Sequence, residues 1–301
     1  MELIERLKQQ GVKFFTNEPM AKHTSFKIGG PADILACPSD AEQLKAAVQA
    51  AKECGVAVFI MGNGSNLLVS DEGYRGMIVR LEDSHIEVEG NRIHCGAGAL
   101  LSKTASIALE HSLAGFAFAS GIPGSIGGAV RMNAGAYGGE FSDVVKKTRF
   151  LDTRTMETGE VTGAEHDFSY RHSMFCDAPE KIIVETEIVL QQGDKVAIAA
   201  KMEELSAKRR EKQPVSLPSG GSTFKRPEGY YAAALIDQCG LRGFRIGGAE
   251  VSQKHTGFIV NIANATAQDV YRLMEHVRAE VYKKFSVTLQ NEICIVGDIR
   301  L

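Results

Sequence analysis

No tryptophan occurs among the 301 residues, and aromatic side chains reach only 7%. Protein emission is therefore too weak to mask a fluorescent ligand. The six cysteines (37, 54, 95, 176, 239 and 294) are scattered, with no C-x-x-C pair. That spacing argues against a structural zinc site, an iron–sulfur cluster and a disulfide scaffold, and for a reducing, cytoplasmic compartment. The eight histidines show no H-E-x-x-H or H-x-H spacing, so no metal is expected. Long apolar runs are missing too. Nothing approaches the ~20 residues of a membrane span, and the opening "MELIERLKQQGVKFF" lacks the apolar run of a signal peptide. Neither sign of charge dominates: 34 basic residues stand against 37 acidic ones, for a net charge of −3. The one basic cluster, "KRREKQP", is local and suits a small anionic ligand better than nucleic acid. There is no internal repeat or low-complexity tract.

What is present is enough apolar residue, 44%, for a sizeable core and two or three subdomains. Asp40 reads as the N-cap of a helix with Leu44, Val48 and Ala51 on its apolar face and Gly55 as its stop. "VAVFIMG", "NLLVS" and "GMIVRLE" read as short strands, and "HIEVEGNRIHCGAG" as a β-hairpin about Glu89-Gly90-Asn91. A helix follows in "LLSKTASIALEHSLAG", capped by Gly115. Residues 144–190 read as mostly antiparallel sheet. The helix "VAIAAKMEELSAKRREKQ" then leads into "PVSLPSGGS", the best domain boundary in the chain. Beyond it, a short helix ends at Gly240. A longer one runs from Ala267 to Phe285 behind a Thr266–Asp269 capping box, with Val270, Leu273, Met274, Val277 and Val281 at helical spacing. The final strand, "VTLQNEICIVG", is expected to put Ile293 and Ile295 on one face and Glu292 on the other. The class is α+β.

Two glycine-rich stretches carry the first chemical signal. "GIPGSIGGAVRMNAGAYGG" (121–139) holds seven glycines in nineteen residues. That is too many for a helix interior or a plain strand, and the stretch is too apolar for a linker. "MGNGSN" (61–66) follows a strand but is no dinucleotide fingerprint, because Leu67 replaces the third glycine and no helix pattern follows. Its bland alternative is a tight turn, as close helix–sheet packing is for the longer stretch. No Lys-Ser/Thr pair makes either a phosphate loop of the Walker kind. Two such loops together point to a nest of backbone N–H groups clamping one extended dinucleotide, for which FAD has the length.

Isolated polar residues are more equivocal. Arg171, in "FSYRHS", reads first as a solvated or ion-paired arginine on a sheet. Ser222, in "GGSTFKRP", lies on open backbone near Lys225 and Arg226. It reads as a plain turn, or as a proton donor, but not as a nucleophile, since no G-x-S-x-G elbow surrounds it. Glu292 faces away from its apolar neighbours and needs solvent, a partner or a role.

The motifs "IGGPAD", "GNGSNLLV", "GIPGSIGGAVRMNAGAYG", "SYRHS", "GGSTFKRP", "GGAEVSQKHTGFIVN" and "LQNEICIVG" occur in an order that resembles the UDP-N-acetylenolpyruvoylglucosamine reductase family. The resemblance runs from about residue 16 to the C-terminus. Its first three motifs are shared with a broad FAD-binding superfamily; its last four mark this family. It implies a two-subdomain FAD-binding region of the vanillyl-alcohol-oxidase/PCMH type (1–80 and 81–205) and a C-terminal α+β substrate domain (206–301). The last strand is free to return to the first subdomain.

The resemblance also implies non-covalent FAD, NADPH as co-substrate, and a bacterial cytoplasmic enzyme of peptidoglycan precursor synthesis. A monomer with no nucleic-acid or membrane partner is expected. FAD would lie on Gly62, Asn63, Gly64, Ser65 and Asn66, and on Gly121, Pro123, Gly124, Ser125, Gly128, Asn133, Ala134 and Gly135. Arg171 and Glu292 would stand beside the substrate carboxylate, with Ser222 as proton donor. Because a carboxylate repels a developing enolate, Glu292 is expected to be protonated or hydrogen-bonded in the complex. Tyr137, Lys212, Arg226, Lys254 and His255 would contact the UDP-sugar. The longer subgroup of the family inserts a lid tyrosine between the arginine and serine motifs. Residues 172–221 here contain no tyrosine, so the chain resembles the shorter subgroup.

Two other readings compete. A sugar or alcohol oxidase of the same superfamily would keep the glycine loops, and could tether flavin through the adjacent pair His94-Cys95, which otherwise reads as core strand. A catalytically inert nucleotide-sugar sensor would bind UDP-sugar without consuming NADPH.

Overall fold

The computed structural model describes residues 2–299. Its chain closes into two compact units that interleave along the sequence. The larger comprises Met1–Phe15, Ile34–Asn63 and Gly76–Lys208; the smaller comprises Thr16–Asp33, Gly64–Arg75 and Arg209–Leu301. These are not the three successive segments expected above. Segments 16–33 and 64–75 go with the C-terminal residues, and the last crossing falls inside the helix Lys195–Lys212 rather than in "PVSLPSGGS".

The larger unit is built on a five-stranded antiparallel sheet in the order Glu157–Thr162, Val145–Asp152, Lys181–Val189, Arg92–Gly96, Ile86–Glu89. The expected hairpin is its edge, pairing Glu89 with Arg92 across the Gly90 turn. One core packs Ile93, Phe116, Phe118, Phe141, Phe150 and Phe175, the phenylalanines meeting edge to face. Such contacts add about 0.5–1.5 kcal/mol per pair beyond area burial. A second core gathers Leu3 and Leu7 of the first helix with Leu44, Ala47 and Val48 of Ala41–Glu53. Asp40 caps that second helix by accepting from the Gln43 N–H at 2.8 Å. Within this unit Val58–Met61 pairs in parallel with residues 77–80. The helix Leu101–Glu110 ends at His111, and Gly115 follows a short strand, Leu113–Ala114, instead of capping the helix.

The smaller unit has one core, in which Val270, Leu273, Met274, Val277 and Val281 form the buried stripe of Ala267–Phe285. The capping box at its start is complete: Thr266 Oγ1 accepts from the Asp269 N–H and Asp269 accepts from the Thr266 N–H. Asp71 adds a second cap, accepting from the N–H groups of Ala267 at 2.8 Å and Gln268 at 3.1 Å. Its carboxylate thus meets two of the orphan donors and the positive end of the helix dipole. An antiparallel three-stranded sheet, Arg245–Ile246, Ala249–Val251 and Ile259–Asn261, packs beneath.

The final strand is only Cys294–Val296, paired in parallel with Leu67–Val69. The alternation expected across residues 287–297 does not hold, since Ile293 is buried and precedes the strand, while Glu292 lies outside it, half-buried. Among the described residues no helix is long and apolar enough to cross a membrane.

Candidate active site

The long glycine stretch contains what its composition argued against, a helix. Ile126–Arg131 forms a six-residue turn-and-a-half, because Gly127 lets it lie against the sheet. A Cβ on Gly127 would come within 2.9 Å of the Ala97 Cβ. Backbone bonds seat the loop: Ile126 N–H donates to Ala99 O and Gly127 N–H to Ala97 O, both at 2.9 Å. The close-packing alternative therefore describes Gly127.

Ser125, just before this helix, is different. Its hydroxyl is buried and has no hydrogen-bond partner among the described residues. Gly62, from the other glycine loop, faces it: a Cβ there would lie 2.4 Å from Ser125 Oγ, and one on Gly128 would lie 3.6 Å away. An unpaired buried hydroxyl costs about 1–3 kcal/mol, which an acceptor from outside the chain removes. A hydroxyl ringed by bare backbone fits the phosphates of a dinucleotide such as FAD, with Gly62, Ser125 and Gly128 the residues to hold it. Asn63 sits exposed at the loop tip, and Gly121, Pro123 and Gly124 form the exposed to half-buried approach. After Gly62 the chain turns directly into Leu67–Val69 with no helix, in keeping with rejection of the dinucleotide fingerprint.

The end of the stretch meets the arginine motif. Tyr137 and Gly138 occupy a two-residue hairpin turn, both at positive φ (+55° and +89°), between Gly135–Ala136 and Gly139–Glu140. Arg171 is not on a sheet. It is the second central residue of a tight turn closed by Ser169 and His172, whose N–H groups donate to each other's carbonyls at 3.2 and 3.1 Å. At φ +57° it holds a conformation costing a non-glycine residue about 1–2 kcal/mol. Its Nη2 donates to Gly135 O at 3.3 Å, and its guanidinium lies 5.0 Å from the Tyr170 ring centroid. Asn133, buried and also at positive φ, donates through Nδ2 to Ser169 O at 3.0 Å and accepts at Oδ1 from the Ser142 N–H at 2.9 Å. Ala134 is buried beside it.

In the smaller unit, Ser222 and Glu292 are brought onto adjoining backbone. Glu292 N–H donates to Thr223 O at 2.9 Å, and Lys225 N–H donates to Gln290 O at 2.8 Å. The remainder of the first glycine loop joins them. Asn66 Nδ2 donates to Glu292 O at 2.9 Å and Asn66 O accepts from the Cys294 N–H. Ser65 is tied in through Ser25, whose Oγ donates to Ser219 O at 2.6 Å and lies 3.3 Å from Ser65 O. The Ser25 N–H donates to the carbonyl of Gly64, itself at φ +66°. Gly220 passes so close to Phe26 that a Cβ would meet its ring at 2.4 Å, whereas Gly221, at φ +82°, faces open space. Sequence reading missed Ser25 and Thr223; neither is distinguished by spacing or neighbours, and only the cross-chain bonds single them out.

The residues assigned to the UDP-sugar are less uniform. Lys212 is exposed at the end of its helix. The Arg226 guanidinium lies 4.7 Å from the Tyr231 ring centroid. Lys254 Nζ donates to the Arg210 carbonyl, closing the C-terminal end of Lys195–Lys212. His255 does not supply a cation. Burial lowers its pKa below the ordinary histidine value, and its Nδ1 accepts from the Gly257 N–H at 3.1 Å, so it is neutral at neutral pH. Of the pair considered for tethering, Cys95 is fully buried on Arg92–Gly96, and burial pushes its thiol up to about 12.

Residues 32–161 match the family described as "FAD binding domain", and residues 213–296 match "UDP-N-acetylenolpyruvoylglucosamine reductase, C-terminal domain". The UDP-N-acetylenolpyruvoylglucosamine reductase of Caldanaerobacter subterraneus subsp. tengcongensis is 49% identical over 299 residues, covering 98% of each chain. That of Clostridium tetani is 45% identical over 99% of this chain and 96% of its own. The crystal structure of the reductase from Thermus caldophilus superposes with a TM-score of 0.80 at 31% identity, covering 95% of this chain and 99% of that one. With its FAD-binding domain and α+β C-terminal domain, the chain belongs to the UDP-N-acetylenolpyruvoylglucosamine reductase family.

Proposed function

We propose that this protein reduces UDP-N-acetylenolpyruvoylglucosamine to UDP-N-acetylmuramate with NADPH, using non-covalent FAD, in peptidoglycan precursor synthesis. The observation that carries the reading is the joining of Ser222 to Glu292 through the Thr223 carbonyl, which gathers two separate family motifs onto one stretch of backbone. Gly62, Ser125 and Gly128 would hold FAD, which would supply hydride chemistry at the β-carbon of the enolpyruvyl group.

The chain's own residues have three tasks. Negative charge builds on the carboxylate side of the substrate as an enolate-like species, and the Arg171 guanidinium meets it. Ser222 gives its hydroxyl proton to the α-carbon. A neutral serine is a weak acid, so it works only against a carbanionic acceptor with cations nearby; Lys225 and Arg226 follow it in sequence. Glu292 lies beside the carboxylate as a protonated or hydrogen-bonded group. Tyr137, Lys212, Arg226 and Lys254 contact the UDP-sugar, with His255 a neutral partner. Burial of Cys95 in the core supports flavin that is not tethered there. A cytoplasmic monomer serving cell-wall growth, cell shape and division completes the proposal; sedimentation of the purified protein tests the monomer.

The decisive experiment is the visible spectrum of the purified protein before and after anaerobic NADPH. A yellow protein that bleaches, and regains colour on adding the enolpyruvyl substrate, is the expected result. A colourless protein that FAD cannot reconstitute overturns the proposal. Flavin that stays in the pellet on acid precipitation points instead to a tethered oxidase of the same superfamily.

A further inference from the structure

We infer that Asn133 acts as a positioning residue for Arg171 rather than as a side-chain ligand of the cofactor. The inference rests on the reading of Arg171 as the residue that meets the substrate carboxylate. Asn133 lies within the glycine stretch, where a polar side chain would ordinarily be assigned to the flavin. Its amide, however, has a protein partner at each end. Nδ2 donates to Ser169 O at 3.0 Å, and Oδ1 accepts from the Ser142 N–H at 2.9 Å. The side chain is fully buried, and its backbone adopts φ +43°, a region where asparagine is favoured among non-glycine residues.

The carbonyl that Asn133 holds is that of Ser169, which also closes the turn carrying Arg171 by accepting from the His172 N–H. Two further bonds stitch the same segments: Ser173 Oγ donates to Arg131 O at 2.6 Å, and Arg171 Nη2 to Gly135 O at 3.3 Å. On the far side, Phe168 stacks on His166, a buried imidazole bonded at both nitrogens, to Thr148 Oγ1 and Gly163 O. Arg171 sits at strained positive φ in an otherwise short turn, so the turn needs support on both flanks to keep its guanidinium aimed. Asn133 provides it from the glycine stretch, so one amide links that stretch to the arginine turn.

Two substitutions separate this role from a cofactor contact. Asn133→Asp keeps the acceptor for Ser142 but sets a carboxylate against the Ser169 carbonyl; protonated, it donates again. The charged groups on the segments around it are Arg131, Glu140, Asp143, Arg171 and His172. With FAD bound, substrate affinity is read from the flavin difference spectrum, and FAD affinity from flavin fluorescence. For Asn133→Asp, substrate Kd relative to the parent is expected to rise about tenfold at about pH 8 and to recover at about pH 5.5, with FAD Kd nearly unchanged. Asn133→Ala is expected to show the same rise without recovery. An FAD Kd that rises as much as the substrate Kd, or a substrate Kd within twofold of the parent for both variants, overturns the inference. Should neither variant fold, hydrogen exchange decides it: the Ser142 N–H of the parent is equally protected with and without FAD, and protection that requires FAD overturns it. Arg171→Gln is the separate control. If it leaves substrate Kd unchanged, the carboxylate role of Arg171 fails, and the clamp is judged on Ser142 exchange alone.

Discussion

Glu292 donates its backbone N–H to the Thr223 carbonyl at 2.9 Å, and with the bond from Lys225 N–H to Gln290 O it makes neighbours of two motifs about seventy residues apart in the sequence. Thr223 is itself fixed, because its N–H donates to Gly257 O and its Oγ1 accepts from the Ile259 N–H at 3.0 Å. Ser222 is therefore held by the backbone of the residue that follows it.

Ser222→Ala is expected to lower kcat about 10²-fold or more, the size of effect a positioned proton donor commands. Reduction of the flavin by NADPH should proceed as in the parent, because no proton to the substrate is needed there. Stopped-flow absorbance resolves the two half-reactions, and a slowed first half-reaction contradicts the assignment.

Glu292→Gln keeps the backbone bonds to Thr223 and Asn66 while removing the carboxyl. A rate loss of about tenfold or more is expected at substrate saturation, with the flavin spectrum unaltered. Parent-like turnover across the pH range would remove the carboxyl from the mechanism.

The glycines divide by what a methyl group would meet. Gly127→Ala forces the loop helix off Ala97 and should lower Tm. Gly128→Ala meets only Ser125 Oγ, at ordinary contact distance, so it should fold normally. Gly62→Ala fills the space over that hydroxyl and should weaken FAD binding more than it lowers Tm. Calorimetry beside FAD titration gives the ranking; a Gly128 variant less stable than the Gly127 one contradicts it.

Stability should fall on the acid side. Burial lowers the pKa of both His166 and His255 below the ordinary 6.5. The fold holds them neutral, so the unfolded chain binds the extra protons as pH drops. Their contribution is fully present above pH 6.5 and is lost as pH falls from there through the lower folded-state values. Tm should therefore decline from about pH 7 to about pH 5, and His166→Gln should flatten part of that slope. A parent Tm constant over that range contradicts the assignment.

Asp71→Ala removes a cap made from outside the helix it serves. Two N–H groups at the start of Ala267–Phe285 lose their acceptor, which should cost about 1–2 kcal/mol. Hydrogen exchange should rise first at Ala267 and Gln268. Unchanged protection there means that Thr266 and Asp269 suffice.

Local elements of this protein were legible in its sequence. The capping box at Thr266, the Asp40 cap, the hairpin about Gly90 and the apolar stripe from Val270 to Val281 rest on interactions within one or two turns of chain, and each formed as read. The motifs likewise identified the family, since the order of chemistry-bearing residues is a property of the chain alone. Tertiary structure decided the rest. It placed residues 16–33 and 64–75 with the C-terminal unit, made a helix of Ile126–Arg131 by packing Gly127 on Ala97, set Arg171 on a strained turn, and cut the last strand to three residues. Apart from the Arg171 turn, which Ser169 and His172 close locally, these turn on an approach between segments far apart in sequence. Local propensity carries no information about such a partner, and the energy of one bond outweighs it.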